Sequence, residues 1–157
     1  MDIQKIKWLK SYRKSRVGCF RETAKVITNY KTYNSAFNTP DYYAYQSYLK
    51  ERYNIECTNI FAEAILYNKI FIINFNFKSF ILFLFRFILK KDTVVSIHDV
   101  VPHKGKKYFR TFIANWIVIK LANQICVYSV VSKKALIQTG YNKRIYLMPL
   151  EGFRYGY

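Results

Sequence analysis

The run KIFIINF, Lys69 to Phe75, is short, β-branched and aromatic, with nothing polar between Lys69 and Asn74. A strand with one face in water alternates apolar and polar residues; a continuous run of this kind belongs to a strand covered on both faces, and parallel sheets are where such strands occur. Working outward from it, TVVSIHD (Thr93–Asp99), QICVYS (Gln124–Ser129) and RIYLMPL (Arg144–Leu150) read as three further buried strands. The segments between them have helical character. KSFILFLFRFILKK (Lys78–Lys91) is apolar on nearly every side except at Arg86, with Ser79 placed to help start it. TFIANWIVIKLAN (Thr111–Asn123) brings Phe112, Ile113, Trp116, Ile117 and Ile119 to helical spacing, and SKKALIQTG (Ser132–Gly140) closes on a glycine suited to a left-handed C-cap. Strands alternating with helices imply right-handed crossovers, so the expected fold class is α/β: a Rossmann-like parallel sheet with helices on both faces.

With 157 residues, the chain has the size of about one domain. Two regions are expected within it: a basic, Tyr-rich, mainly helical segment over 1–60, and the Rossmann-like segment over 61–157. Residues 1–31 hold nine Lys and Arg against Asp2 and Glu22. A basic, partly amphipathic helix there would be either a solvated face or a contact with an anionic surface, and Lys5, Lys7, Lys10, Arg13 and Lys14 are the candidate membrane contacts. TYNSAFNTPD (Thr32–Asp41) breaks that pattern, and Asp41 is placed to cap a helix over Tyr42–Tyr53.

The formal net charge is +17, from 26 Lys and Arg against 9 Asp and Glu, which draws the protein toward polyanions or an anionic membrane. Cys19, Cys57 and Cys126 are odd in number and lack C-x-x-C spacing, which argues against a disulfide framework or a zinc site and fits a reducing cytoplasm. The N-terminus lacks the apolar core of a secretory signal. Ile70 to Leu89 together approach the length of a membrane helix, but Asn74, Asn76, Lys78 and Arg86 interrupt them, so a soluble core helix, with a position near a membrane left open, is favoured over a transmembrane span.

The chemistry concentrates in TVVSIHDVVPHKG (Thr93–Gly105), which holds both histidines of the chain. Ligands of open α/β sheets bind beyond the carboxyl ends of the strands, where His98 and Asp99 fall. Adjacent strand residues point to opposite faces, so both meet one ligand only if the chain turns here, as Pro102 and Gly105 would permit. His98 is able to exchange a proton near neutral pH or to hydrogen-bond a hydroxyl or phosphate, with Asp99 orienting it. The competing reading is a satisfied histidine at a strand end, with Asp99 as a loop cap. A metal site is disfavoured, because His98, Asp99 and His103 converge only in a particular loop shape; no metal and no cofactor are expected.

The ordered set SIHDVVPHKG, a long helix, ICVYS, a short helix with its L…GY ending, and IYLMPLEGF resembles the second half of the N-terminal domain of family 4 glycosyltransferases of the GT-B fold. The likeness covers about Asn68 to Phe153. It implies transfer of a sugar from a nucleotide-sugar donor to a glycan or lipid-linked acceptor in surface polysaccharide synthesis. It also implies His98 and Asp99 at the reacting sugar, Pro102, His103, Lys104 and Gly105 on the cleft loop, and Ser129 at a helix start able to meet an anion. An ordinary helix cap is the other reading of Ser129. No Gly-Gly pair occurs for the family's opening glycine-rich loop, and RVGCFRETAKVI (Arg16–Ile27) echoes it poorly. The chain ends near where the linker to a second Rossmann-like domain would begin, so the expectation is a partial, acceptor-side half, with most of the donor site supplied elsewhere. Such an enzyme would work in the cytoplasm, peripheral at the inner face of the plasma membrane. The alternative is a non-catalytic basic protein that binds a membrane or nucleic acid. Against nucleic acid, the aromatics sit mainly within apolar runs where packing explains them, and no nucleic-acid-binding motif occurs.

Overall fold

A computed structural model describes residues 29–34, 56–73, 76–101 and 108–148. In chain order the elements are β1 (Lys31–Tyr33), β2 (Cys57–Thr58), α1 (Phe61–Leu66), β3 (Lys69–Ile72), α2 (Phe77–Ile88), β4 (Asp92–Ile97), α3 (Tyr108–Leu121), β5 (Gln124–Val127), α4 (Val130–Gln138) and β6 (Arg144–Leu147). The six strands form one sheet in the order β2-β1-β3-β4-β5-β6, and every neighbouring pair is parallel. The Rossmann-like α/β class expected from the strand and helix patterns is therefore the fold. The sheet draws β1 and β2 from before residue 61, within the segment expected to be mainly helical. Three- and two-residue strands are too short to show a period; they are strands because Thr32 pairs with both Cys57 and Phe71. The basic stretch over 1–28 and the helix expected over Tyr42–Tyr53, with its Asp41 cap, lie outside the described residues.

Alternation along the strands builds two cores. Ile70, Ile72, Val95, Ile97, Ile125, Val127 and Leu147 face Ala64 of α1, Leu82 and Phe83 of α2, Val118 of α3 and Leu136 of α4. Phe71, Val94, Cys126, Tyr146 and Met148 make the second core on the opposite face, joined by Tyr30. The four described helices thus share one face. Each fully buried Ile, Leu or Phe contributes about 1.5–3 kcal/mol, so the strand runs that looked apolar throughout are the principal source of cohesion.

Helix α2 is fastened from within by a charge. Arg86 is fully buried. Its Nη1 donates to the carbonyls of Ala64 (2.7 Å), Ile65 (3.4 Å) and Tyr67 (2.8 Å), and its Nη2 to those of Asn68 (3.2 Å) and Asp92 (2.6 Å). Nε donates to the Thr93 hydroxyl at 2.8 Å, which itself donates to the Lys91 carbonyl at 3.1 Å. A guanidinium presents five N–H groups in a fixed fork, and here the Thr93 hydroxyl takes the one on Nε while carbonyls at the end of α1 and the entries to β3 and β4 take those on Nη1 and Nη2. Burial holds its pKa down, at about 10, against the pull of nearby Asp92.

The start of α2 differs from the expected one. Asn76, not Ser79, is the N-cap: its Oδ1 accepts from the Ser79 N–H at 3.1 Å, and the Ser79 side chain is buried inside the first turn. Asx side chains serve as caps at least as well as serine, and Asn76 has the extended backbone a cap requires. The apolar run from Ile70 is thereby split into a strand and a twelve-residue helix, and no described helix is long and apolar enough to cross a membrane.

Candidate functional site

The carboxyl edge of the sheet brings the ends of β3, β4 and β5 together. Ile97 is in register with Val127, so the next residues out, His98 and Tyr128, lie side by side. Their rings pack with centroids 4.4 Å apart and planes tilted by 35°. Tyr128 is buried and donates its phenol to the Ile73 carbonyl at 3.3 Å, and Ser96 hydrogen-bonds the same carbonyl. Since the chain runs from β1 out to β2 and back past β1 to β3, the order of the sheet reverses between β1 and β3, and Ile73 follows directly on β3. Crevices at such reversals are where open α/β sheets bind ligands.

The segment leaving β4 is pinned from two helices. Asn115, buried on α3, donates Nδ2 to the Asp99 carbonyl at 2.8 Å. Ser132, in the first turn of α4, donates Oγ to the His98 carbonyl at 3.2 Å. Val100 then turns into the core. With both carbonyls held and Val100 anchored, the side chains of His98 and Asp99 are exposed at the sheet edge. The His98 imidazole nevertheless titrates below its ordinary range, because packing against protein removes water from the charged form, an effect that Asp99 opposes. At neutral pH the ring is neutral, with one nitrogen donating and the other accepting.

Ser129 is the N-cap of α4. Its Oγ accepts from the Ser132 N–H at 2.9 Å and lies 2.9 Å from the Ser132 hydroxyl. The capping role weighed for it is therefore present, and through Ser132 the cap is linked to the carbonyl of His98. His98, Asp99 and Ser129 thus stand on adjacent strand exits. Pro102, His103, Lys104 and Gly105 lie outside the described residues, as do Lys5, Lys7, Lys10, Arg13 and Lys14. Among the described residues no three His, Cys, Asp or Glu side chains are grouped to hold a metal ion.

Sequence reasoning missed Tyr128, Asn115 and Ser132. Period-two alternation from Cys126 puts Tyr128 on one face of β5, but only the register between β4 and β5 sets it beside His98. Asn115 within an apolar helix was the one visible sign of a buried polar anchor. No family model matches the chain, and no curated protein or solved structure matches it.

Proposed function

We propose that this chain is the acceptor-side domain of a glycosyltransferase, moving a sugar from a nucleotide-sugar donor to a glycan or lipid-linked acceptor in surface polysaccharide synthesis. The observation that carries the reading is the His98 imidazole packed on Tyr128 at the exit of β4, with Asp99 next to it and the His98 backbone carbonyl tied through Ser132 to the Ser129-capped start of α4. In this reading His98 hydrogen-bonds a hydroxyl of the reacting sugar and Asp99 adjusts its proton affinity. In the same reading the first N–H groups of α4 would meet the donor phosphate, as helix starts do with anions. The resemblance assigns most of the nucleotide site to a second Rossmann-like domain, so catalysis belongs to the pair of domains. The charge of +17 suits work at the cytoplasmic face of an anionic membrane, where lipid-linked acceptors reside.

The test is incubation of the chain with radiolabelled nucleotide sugars and a membrane fraction as the source of acceptor and partner domain. Label should enter lipid or glycan in a manner that requires the chain, and His98→Ala should abolish the increment. Neither transfer nor donor hydrolysis with any sugar would sink the enzymatic reading.

A further inference from the structure

Helix α2 buries two polar side chains beside Leu82 and Phe83 and leaves large apolar ones outside. Its buried residues include Ser79 and Arg86, whereas Phe77 (76 % exposed), Phe85 (50 %) and Ile88 (73 %) face away from the sheet. On α3 the outward stripe is Phe109 (72 %), Ile113 (40 %) and Trp116 (56 %), and Lys120 extends along it with its ammonium 6.0 Å from the Trp116 ring. The two helices lead into and out of β4 and belong to the same layer, packed through Leu82, Phe83 and Val118 against one face of the sheet. A globular helix ordinarily keeps its outer face polar, and exposed apolar stripes of this kind mark an interaction site.

Charge identifies the occupant. Helices α2, α3 and α4 contain no acidic residue, while Lys78, Arg110 and Lys120 lie beside the stripes and Lys90 closes the end of α2. Glu63 on α1 is the acid of this helix layer, and it accepts a hydrogen bond from Thr58. A second copy docked through the same faces would set cation against cation, and the chain's own basic residues 1–31 would meet the same repulsion. An anionic lipid surface satisfies both parts: headgroups take the cations, and the acyl boundary takes Phe, Ile and Trp. At about 18 and 21 Å, helices of twelve and fourteen residues fall short of the hydrocarbon thickness and would lie in its plane.

We infer that the outer faces of α2 and α3 form a docking surface for an anionic lipid bilayer. This inference stands apart from sugar transfer and holds whether or not the chain catalyses it.

The chain has two tryptophans, Trp8 and Trp116, so Trp8→Phe leaves Trp116 as the only indole reporter. In that variant, vesicles of phosphatidylcholine with phosphatidylglycerol should shift the emission to the blue, and brominated acyl chains should quench it; phosphatidylcholine alone should do neither. Phe109→Ser with Ile113→Ser, and separately Phe77→Ser with Ile88→Ser, should each weaken cosedimentation with the anionic vesicles by about tenfold or more. Their urea midpoints should be unchanged, because these side chains already face solvent. A Trp116 emission indifferent to anionic vesicles would overturn the inference. So would binding lost on neutralising Lys5, Lys7 and Lys10 but unaffected by the stripe substitutions, or a dimer in sedimentation that those substitutions dissociate.

Discussion

Arg86 of α2 and Thr93 of β4 meet through a 2.8 Å hydrogen bond from guanidinium to hydroxyl, inside a cluster where five backbone carbonyls accept from the same side chain. Removing it takes the donor from all five, among them the buried bond to Ala64. Arg86→Ala should cost about 3–5 kcal/mol or prevent folding. Arg86→Lys, with three donors and no planar fork, should recover only part of that loss, and Thr93→Val should cost about 1 kcal/mol. Urea unfolding of the variants gives the order; equal stability of Arg86→Ala and wild type would refute the role assigned to this residue.

Two helix ends should respond in opposite senses. Lys90 follows α2 with φ of +53°, and the Lys91 N–H reaches back to the Arg86 carbonyl at 2.9 Å, a termination that ordinarily uses glycine. Lys90→Gly should therefore stabilise the protein by up to about 1 kcal/mol. Gly140 closes α4 at φ of +84° with open space where a Cβ would stand, so Gly140→Ala should cost about 1 kcal/mol through the backbone alone. Thermal melts of the pair check both signs.

Titration of His98 should be visible in the imidazole proton resonances, with His103→Ala used for assignment. Burial lowers the folded pKa, so the midpoint should fall below about 6.5, the unperturbed value. Asp99→Asn removes the effect that opposes burial and should move the midpoint lower still. The linkage follows: the neutral ring's contribution is fully present above the unfolded pKa and is lost as pH falls from there through the folded one. Since the ring is partly open to solvent, the stability change should be small. A midpoint above the ordinary value would contradict the packing described for this ring.

At Ser129 the structural and functional roles separate experimentally. Ser129→Ala deletes the cap of α4 and should cost about 1 kcal/mol, whereas Ser129→Asp restores an acceptor and most of the stability. If a donor phosphate approaches the start of α4, the added carboxylate should depress sugar transfer even in the stable variant. Transfer assays on Ser129→Asp at a temperature where both proteins are folded give the comparison.

Much of the fold is legible in the order of residues. Runs such as Ile70–Ile72 and Val94–Ile97 lack alternation because both faces of a parallel strand are covered, and each is followed by a segment with helical spacing. Gly140 marks the end of α4 by local chemistry, a left-handed backbone, whereas the helix expected from Ser132 begins at Val130 behind the Ser129 cap. His98 and Asp99 were placed at a strand exit for the same reason: apolar β-formers stop there.

Long-range structure decided the remainder. Strands β1 and β2 are shorter than any period and exist through pairing with β3 and with each other. Arg86 looked like a break in an apolar helix; it is the residue that turns inward, because carbonyls from α1, β4 and the Tyr67–Asn68 link converge on it from elsewhere in the chain. The same orientation of α2 leaves Phe77 and Ile88 on the outside. Likewise Tyr128 reaches His98 by the register of β5 on β4, and Ser132 holds its carbonyl by the packing of α4. Composition and spacing determine which segments become strands and helices, since those preferences act within a turn or two. Which faces turn inward, and which side chains meet at the sheet edge, depends on contacts between residues tens of positions apart, which only the assembled sheet brings within hydrogen-bonding distance.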